Sequence, residues 1–171
     1  MFYARLITMS IMQETILGSG AALDELIKLD ADIAIAVKQY GPPADRSLPA
    51  NFTTLARSVI GQQISRSAAS AIWQRMQDQQ LCSADIIATM SADALRLVGL
   101  SHRKAEYLIG IAREVTSGQL NFESMHQLSG DAVKARLTQI RGVGAWTADN
   151  FRLFALGDMD AWPVNDVALQ E

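Results

Sequence analysis

The sequence predicts an all-α protein. Three observations carry that expectation. Apolar residues recur at helical spacing along most of the chain, and β-branched alternation never persists beyond a few residues. Ser, Asn, Gly and Pro also fall where helices would start and stop. No segment repeats at a fixed period.

Taken in order, ALDELIKLDADIAIAVKQYG reads as one helix that stops at Gly41-Pro42-Pro43. Asn51 caps a longer helix, FTTLARSVIGQQISRSAASAIWQRMQ, whose stripe is Leu55, Val59, Ala69, Ile72 and Met76. Gly61 inside that pattern costs about 1 kcal/mol relative to Ala, which points to a packing or contact role. Ser83 and Ser91 each open a short helix, the second ending at Gly99. Ser101 then opens HRKAEYLIGIAREVTSG, and ESMHQL and DAVKARLTQI complete the series up to residue 140.

Composition narrows the class. A chain of 171 residues that is 49% hydrophobic builds a core, which excludes wholesale disorder. The single cysteine, Cys82, rules out an intramolecular disulfide or a Cys-ligated iron–sulfur cluster, and fits a reducing, intracellular setting. The opening MFYARLITMSIM is interrupted by Arg5, lacks a small-residue cleavage pattern and is too short to span a membrane. Residues 1–22 are therefore read as an N-terminal extension, with Met9 and Met12 as further candidate starts, and 23–171 as one helical domain. The net charge of −3 argues against coating nucleic acid through bulk electrostatics. Between Lys134 and Arg152, however, four basic residues stand against the single Asp149.

That basic stretch contains the most informative motif, LTQI-RGVG-AWTADNFRLFAL, which reads as helix, tight hairpin, helix over about 134–156. Gly142 and Gly144 permit positive φ and close approach of another backbone, and leave the first amides of the second helix bare. Bare amides at the positive end of a helix suit one anion, and a DNA phosphate is a natural occupant. An ordinary capped αα-turn fits the glycines equally well. A dinucleotide loop does not, since the third glycine and a preceding strand are missing.

Together VIGQQIS, GLSHRKAEYLIGIA, LTQIRGVGAWTAD and AWPVNDVAL, in that order, resemble the helix-hairpin-helix DNA glycosylase superfamily, most of all its DNA-3-methyladenine glycosylase II branch. The likeness runs from about residue 23 to the end. It implies two helical lobes around a DNA-facing cleft, and monofunctional hydrolysis of the N-glycosidic bond of alkylated purines in double-stranded DNA. A monomer acting in the cytoplasm or nucleoid, with no membrane partner, is expected. A non-catalytic or truncated hairpin DNA-binding module is the rival reading, and a helical protein adaptor a third.

The resemblance assigns roles residue by residue. Asp166 matches the superfamily's aspartate, which stabilises the positive sugar as the base departs; read alone, it could instead cap a helix opened by NDVALQ. Trp146 stands where bifunctional relatives such as endonuclease III carry a Schiff-base lysine, so the reaction should stop at an abasic site. Its indole would stack on a cationic base, or else sit in the core. Asn150, one turn on, replaces an aromatic residue of some relatives and makes the base pocket less aromatic. Arg141, Gly142, Val143, Gly144, Ala145 and Thr147 would meet a phosphate, Arg141 replacing the usual proline.

Gln62 and Gln63 align with the segment that enters the duplex gap, Gln63 at the wedge position; a solvated polar face is the other reading. The Arg103-Lys104 pair reads as a solvated helix start. No cofactor is required, although the carbonyls of Thr138, Ile140 and Val143 correspond to a monovalent-cation site. Two departures stand out. The β extension of some members is absent, and the sequence stops at Glu171, five residues past Asp166, where relatives add helices.

Overall fold

Helix ends in this chain are set by side chains that outcompete the backbone ladder. A computed structural model describes residues 20–164 and 166, and among them all regular structure is helical, with no strand. The described residues fall into two compact units, one up to Ser47 and one from Leu48. In the first, α1 (Gly20–Leu29) and α2 (Ala31–Tyr40) replace the single helix expected from the apolar periodicity. Asp30 makes the break: its carboxylate accepts from Asp32 N at 2.8 Å and Ile33 N at 3.3 Å, opening a new helix. Gly41, at φ +81°, closes α2 before the prolines. Most of the expected N-terminal extension, residues 1–19, lies outside the described residues.

The second unit holds α3 (Phe52–Gly61), α4 (Arg66–Asp78), α5 (Ala84–Ala88), α6 (Ala92–Arg96), α7 (His102–Thr116), α8 (Phe122–Met125), α9 (Gly130–Thr138) and α10 (Ala145–Ala155). The caps expected at Asn51, Ser83, Ser91 and Ser101 all form, each side chain accepting from an amide three residues on. The long helix expected over 52–77 is divided. It ends at Gly61, and Ser65 caps a second helix after a four-residue turn.

The amphipathic α7 lies at the centre and packs on α3, α5 and α6, while α10 packs on α9 and α3. Leu55, Val59, Met76, Ile87, Leu95, Leu108, Ile111, Leu137 and Phe151 are fully buried where these helices meet. Behind α10 runs a charged cluster. Buried Asp149 accepts from Lys134 Nζ at 2.7 Å and Arg152 Nη1 at 3.2 Å, and Arg152 also meets Asp158 Oδ2 at 2.7 Å. No buried side-chain nitrogen or oxygen among the described residues lacks a partner. None of the described helices is long and apolar enough to cross a membrane.

Candidate active site

The α9–α10 connection folds as the tight hairpin its glycines predict. Val143 N donates to Ile140 O at 3.0 Å, and Gly144 caps α10 without any side-chain bond. The two glycines prove to have different reasons. Gly142 sits at φ +95°, and a Cβ there would lie 2.3 Å from the ring of Tyr107. Gly144 has φ −86°, and a Cβ would meet nothing within 4 Å. The fold therefore demands glycine at the first position only. Among the described residues no acceptor meets the amides of Gly144, Ala145, Trp146 or Thr147.

An open groove of about 1320 Å³ runs past this hairpin. Of the residues expected to form a site, Gln62, Gln63, Thr138, Ile140, Arg141, Gly142, Val143, Gly144, Trp146, Thr147 and Asp166 line it. Ala145 and Asn150 stand outside that lining, and the Asn150 amide donates back to Trp146 O at 2.9 Å. Trp146 is 36% exposed and lines the groove, which removes the core alternative for its indole. Its Nε1–H donates to Asp166 Oδ2 at 3.0 Å, joining the start of α10 to the loop that follows it. The helix that NDVALQ could open lies outside the described residues.

Several sequence readings change at this point. Gln62 lines the groove with its amide nitrogen turned to the hairpin: Nε2 donates to Gly142 O at 3.0 Å and to Thr147 Oγ1 at 2.9 Å. Gln63 is exposed, but on a left-handed backbone at φ +57° in a turn and not on a helix. Lys104 is no solvated helix start. Its ammonium reaches the end of α3, donating to Ile60 O at 2.7 Å and Gln62 O at 2.6 Å, and partial burial holds its pKa below the ordinary lysine value. The positive stretch expected around the hairpin is largely neutralised. Lys134 and Arg152 face Asp149, Arg136 pairs with Glu114, and Arg141 lies 3.5 Å from Glu106.

Arg141 nevertheless remains 76% exposed, its guanidinium 5.6 Å from the centre of the Tyr107 ring. Tyr107 is the residue that sequence reasoning missed. It backs Gly142, carries Arg141 and lines the groove, and nothing in its helical register signals a partner 35 residues away.

Taken together, the groove offers bare amides and Arg141 to an anion, an indole face to a flat ring, and a carboxylate fixed by that indole. Residues 56–171 match the family model described as HhH-GPD superfamily base excision DNA repair protein. The chain is 31% identical to DNA-3-methyladenine glycosylase 1 of Schizosaccharomyces pombe over 78% of its own length and 61% of the relative's. It is 28% identical to the DNA-3-methyladenine glycosylase of Bacillus subtilis, over 87% of its length and 52% of that protein. The chain thus spans between half and two thirds of these two curated relatives. Among solved structures it is similar to a 3-methyladenine DNA glycosylase of Schizosaccharomyces pombe in complex with abasic DNA. The TM-score is 0.75 at 31% identity, covering 86% of this chain and 76% of that one. By its fold, its hairpin and these matches, the chain belongs to the HhH-GPD superfamily of base excision DNA repair proteins.

Proposed function

We propose that the chain is a monofunctional DNA glycosylase that hydrolyses the N-glycosidic bond of alkylated purines, of the 3-methyladenine and 7-methylguanine type, in duplex DNA. The observation that carries this reading is the hydrogen bond between Trp146 Nε1 and Asp166 Oδ2 beside the uncapped start of α10. It brings a strand-gripping element, an aromatic face and a carboxylate to one groove.

The steps follow from ordinary chemistry. A backbone phosphate docks on the amides of Gly144, Ala145, Trp146 and Thr147 at the positive end of α10, with Arg141 adding charge. The damaged base leaves the stack, at a cost of a few kcal/mol, and meets the indole of Trp146. An N3- or N7-alkylated purine is cationic, so cation–π attraction of about 0.5–2 kcal/mol favours it over a normal base. As the C1′–N bond lengthens, positive charge gathers on the sugar. Asp166 stabilises that charge, and water completes the substitution at C1′.

The base departs neutral, so no second acid is needed. Trp146 offers no amine for a Schiff base, and the product is an abasic site with an intact strand. Thr138, Ile140 and Val143 line the groove, and their carbonyls, as hard oxygen donors, would hold a sodium or potassium ion that helps receive the phosphate. The reaction itself draws on no cofactor. A monomer working on intracellular DNA completes the reading.

The test is release of base from a duplex carrying 7-methylguanine. Wild-type protein should release it without cutting the strand, Asp166→Asn should not, and borohydride should trap no protein–DNA adduct. Binding without release would make the chain a hairpin DNA-binding module instead. Absence of salt-dependent duplex affinity would remove DNA from the account.

A further inference from the structure

Within the proposed glycosylase reading, on which this inference rests, we propose that Gln62 is a positioning residue. It acts as a strut that sets the spacing between the phosphate-gripping hairpin and the exposed turn carrying Gln63 and Ile64. The side-chain amide of Gln62 spends both N–H groups on the hairpin, one on Gly142 O at 3.0 Å and one on Thr147 Oγ1 at 2.9 Å. Thr147 is itself 2% exposed, so that end of the strut is anchored in the core side of α10.

The main chain of Gln62 is fixed from the opposite direction. Its carbonyl accepts from Lys104 Nζ at 2.6 Å, and the same ammonium holds Ile60 O at 2.7 Å. One residue is thus clamped between α7 and α10, at the last point before the chain turns out of α3. The next residue, Gln63, takes φ +57°, a conformation that a non-glycine residue keeps only where its surroundings hold it. Gln63 and Ile64 then project as an exposed pair, Ile64 at 38% exposure.

Glutamine suits this position chemically. It is long enough, uncharged, and carries two donors on one nitrogen for two acceptors that lie 80 and 85 residues away. A glutamate would turn an oxygen on the Gly142 carbonyl, and a methionine would fill the space without bonding. Both glutamines line the groove but divide the work: the amide nitrogen of Gln62 is bound to the hairpin, whereas Gln63 stands on the exposed turn.

The test uses the full chain and one alkylated purine in two duplexes, with either a normal partner base or a missing base opposite the lesion. The second duplex is already partly unstacked, so a gap-filling turn has less to do there. Gln62→Met should slow single-turnover excision from the paired duplex by about 10–100-fold, and at least about fivefold less from the opened duplex. Thr147→Val, which removes one acceptor at constant shape, should show the same pattern at about 3–10-fold, and it reads the strut should Gln62→Met fold poorly. In parallel, 2-aminopurine beside the lesion should brighten less with either variant than with wild type.

Equal slowing on both duplexes, or no slowing on either, overturns the strut. If wild type releases no base from either duplex, the glycosylase reading fails, and the 2-aminopurine signal still decides the strut. A wild-type rise that both variants lose supports it, and a rise they keep, or no rise at all, overturns it.

Discussion

Replacing Gly142 and Gly144 one at a time by alanine separates what the hairpin needs to fold from what it needs to grip. At Gly142, alanine must hold φ +95°, at about 1–2 kcal/mol for an L-residue in left-handed territory. Its methyl would also arrive 2.3 Å from Tyr107 Cγ and Cδ2, and forcing the ring aside costs about 1–3 kcal/mol more. The sum, about 2–5 kcal/mol, lowers the melting temperature by about 4–20 °C at roughly 2–4 °C per kcal/mol for a chain of this size.

At Gly144 the methyl meets nothing and φ is −86°. Alanine caps a helix less well than glycine, by about 0.5–1 kcal/mol, but stiffens the unfolded chain by about 0.4–1 kcal/mol, so stability should stay within about 0.5 kcal/mol. That methyl instead enters the open space at the start of α10, where a phosphate would dock, and duplex affinity should fall about tenfold, or roughly 1.4 kcal/mol. Chemical denaturation and fluorescence anisotropy at fixed salt measure the two effects. A double-mutant cycle with Tyr107→Ala isolates the steric part, which should appear as about 1–3 kcal/mol of coupling. Unchanged stability in Gly142→Ala, or wild-type DNA affinity in Gly144→Ala, would refute the division.

Three further outcomes are expected. Asp149→Ala removes the carboxylate that Lys134 and Arg152 share; because Asp158 still holds Arg152 and Lys134 is partly exposed, it should destabilise the fold by about 1–3 kcal/mol in urea denaturation. Trp146→Phe keeps a ring but removes the N–H that orients Asp166. It should lower single-turnover excision by about 10–100-fold, the loss of a hydrogen bond to a charged group worth about 1.5–3 kcal/mol, and leave abasic-duplex affinity within about threefold. Cys82, half-buried, has its pKa pushed above the ordinary thiol value by desolvation. Burial favours its neutral form, so iodoacetamide alkylation should rise at higher pH in the native protein than in the urea-unfolded one.

Most helix starts were legible because capping is local: Ser83, Ser91, Ser101 and Asn51 each bond an amide three residues away. The interruptions at Asp30 and at 62–65 were not, since apolar residues resume beyond both, and Gly61, which ends α3 and where an added Cβ would meet nothing within 4 Å, read as a packing position inside one long helix. The hairpin, its bare amides and the candidate carboxylate could be read from one stretch of chain. What Gln62, Lys104 and Tyr107 do could not, because their partners lie 35 to 85 positions away and only the packing of α3, α7 and α10 selects them. Charge was misleading for the same reason. Counting residues along 134–152 registers four cations, but the fold matches each with a carboxylate.

The ion cluster at Asp149 bears on how this groove can change over evolution. Asp149 lies three positions from Trp146, about 60° round the helix, and its ion pairs with Lys134 and Arg152 fix the rotational phase of the face that presents the indole. Inserting one residue between positions 146 and 149 would swing the indole by about 100°. Length in this segment is therefore frozen while identity at its groove-facing positions stays free. New preferences for what the groove receives should arise there by substitution alone, with the Asp149 anchor untouched.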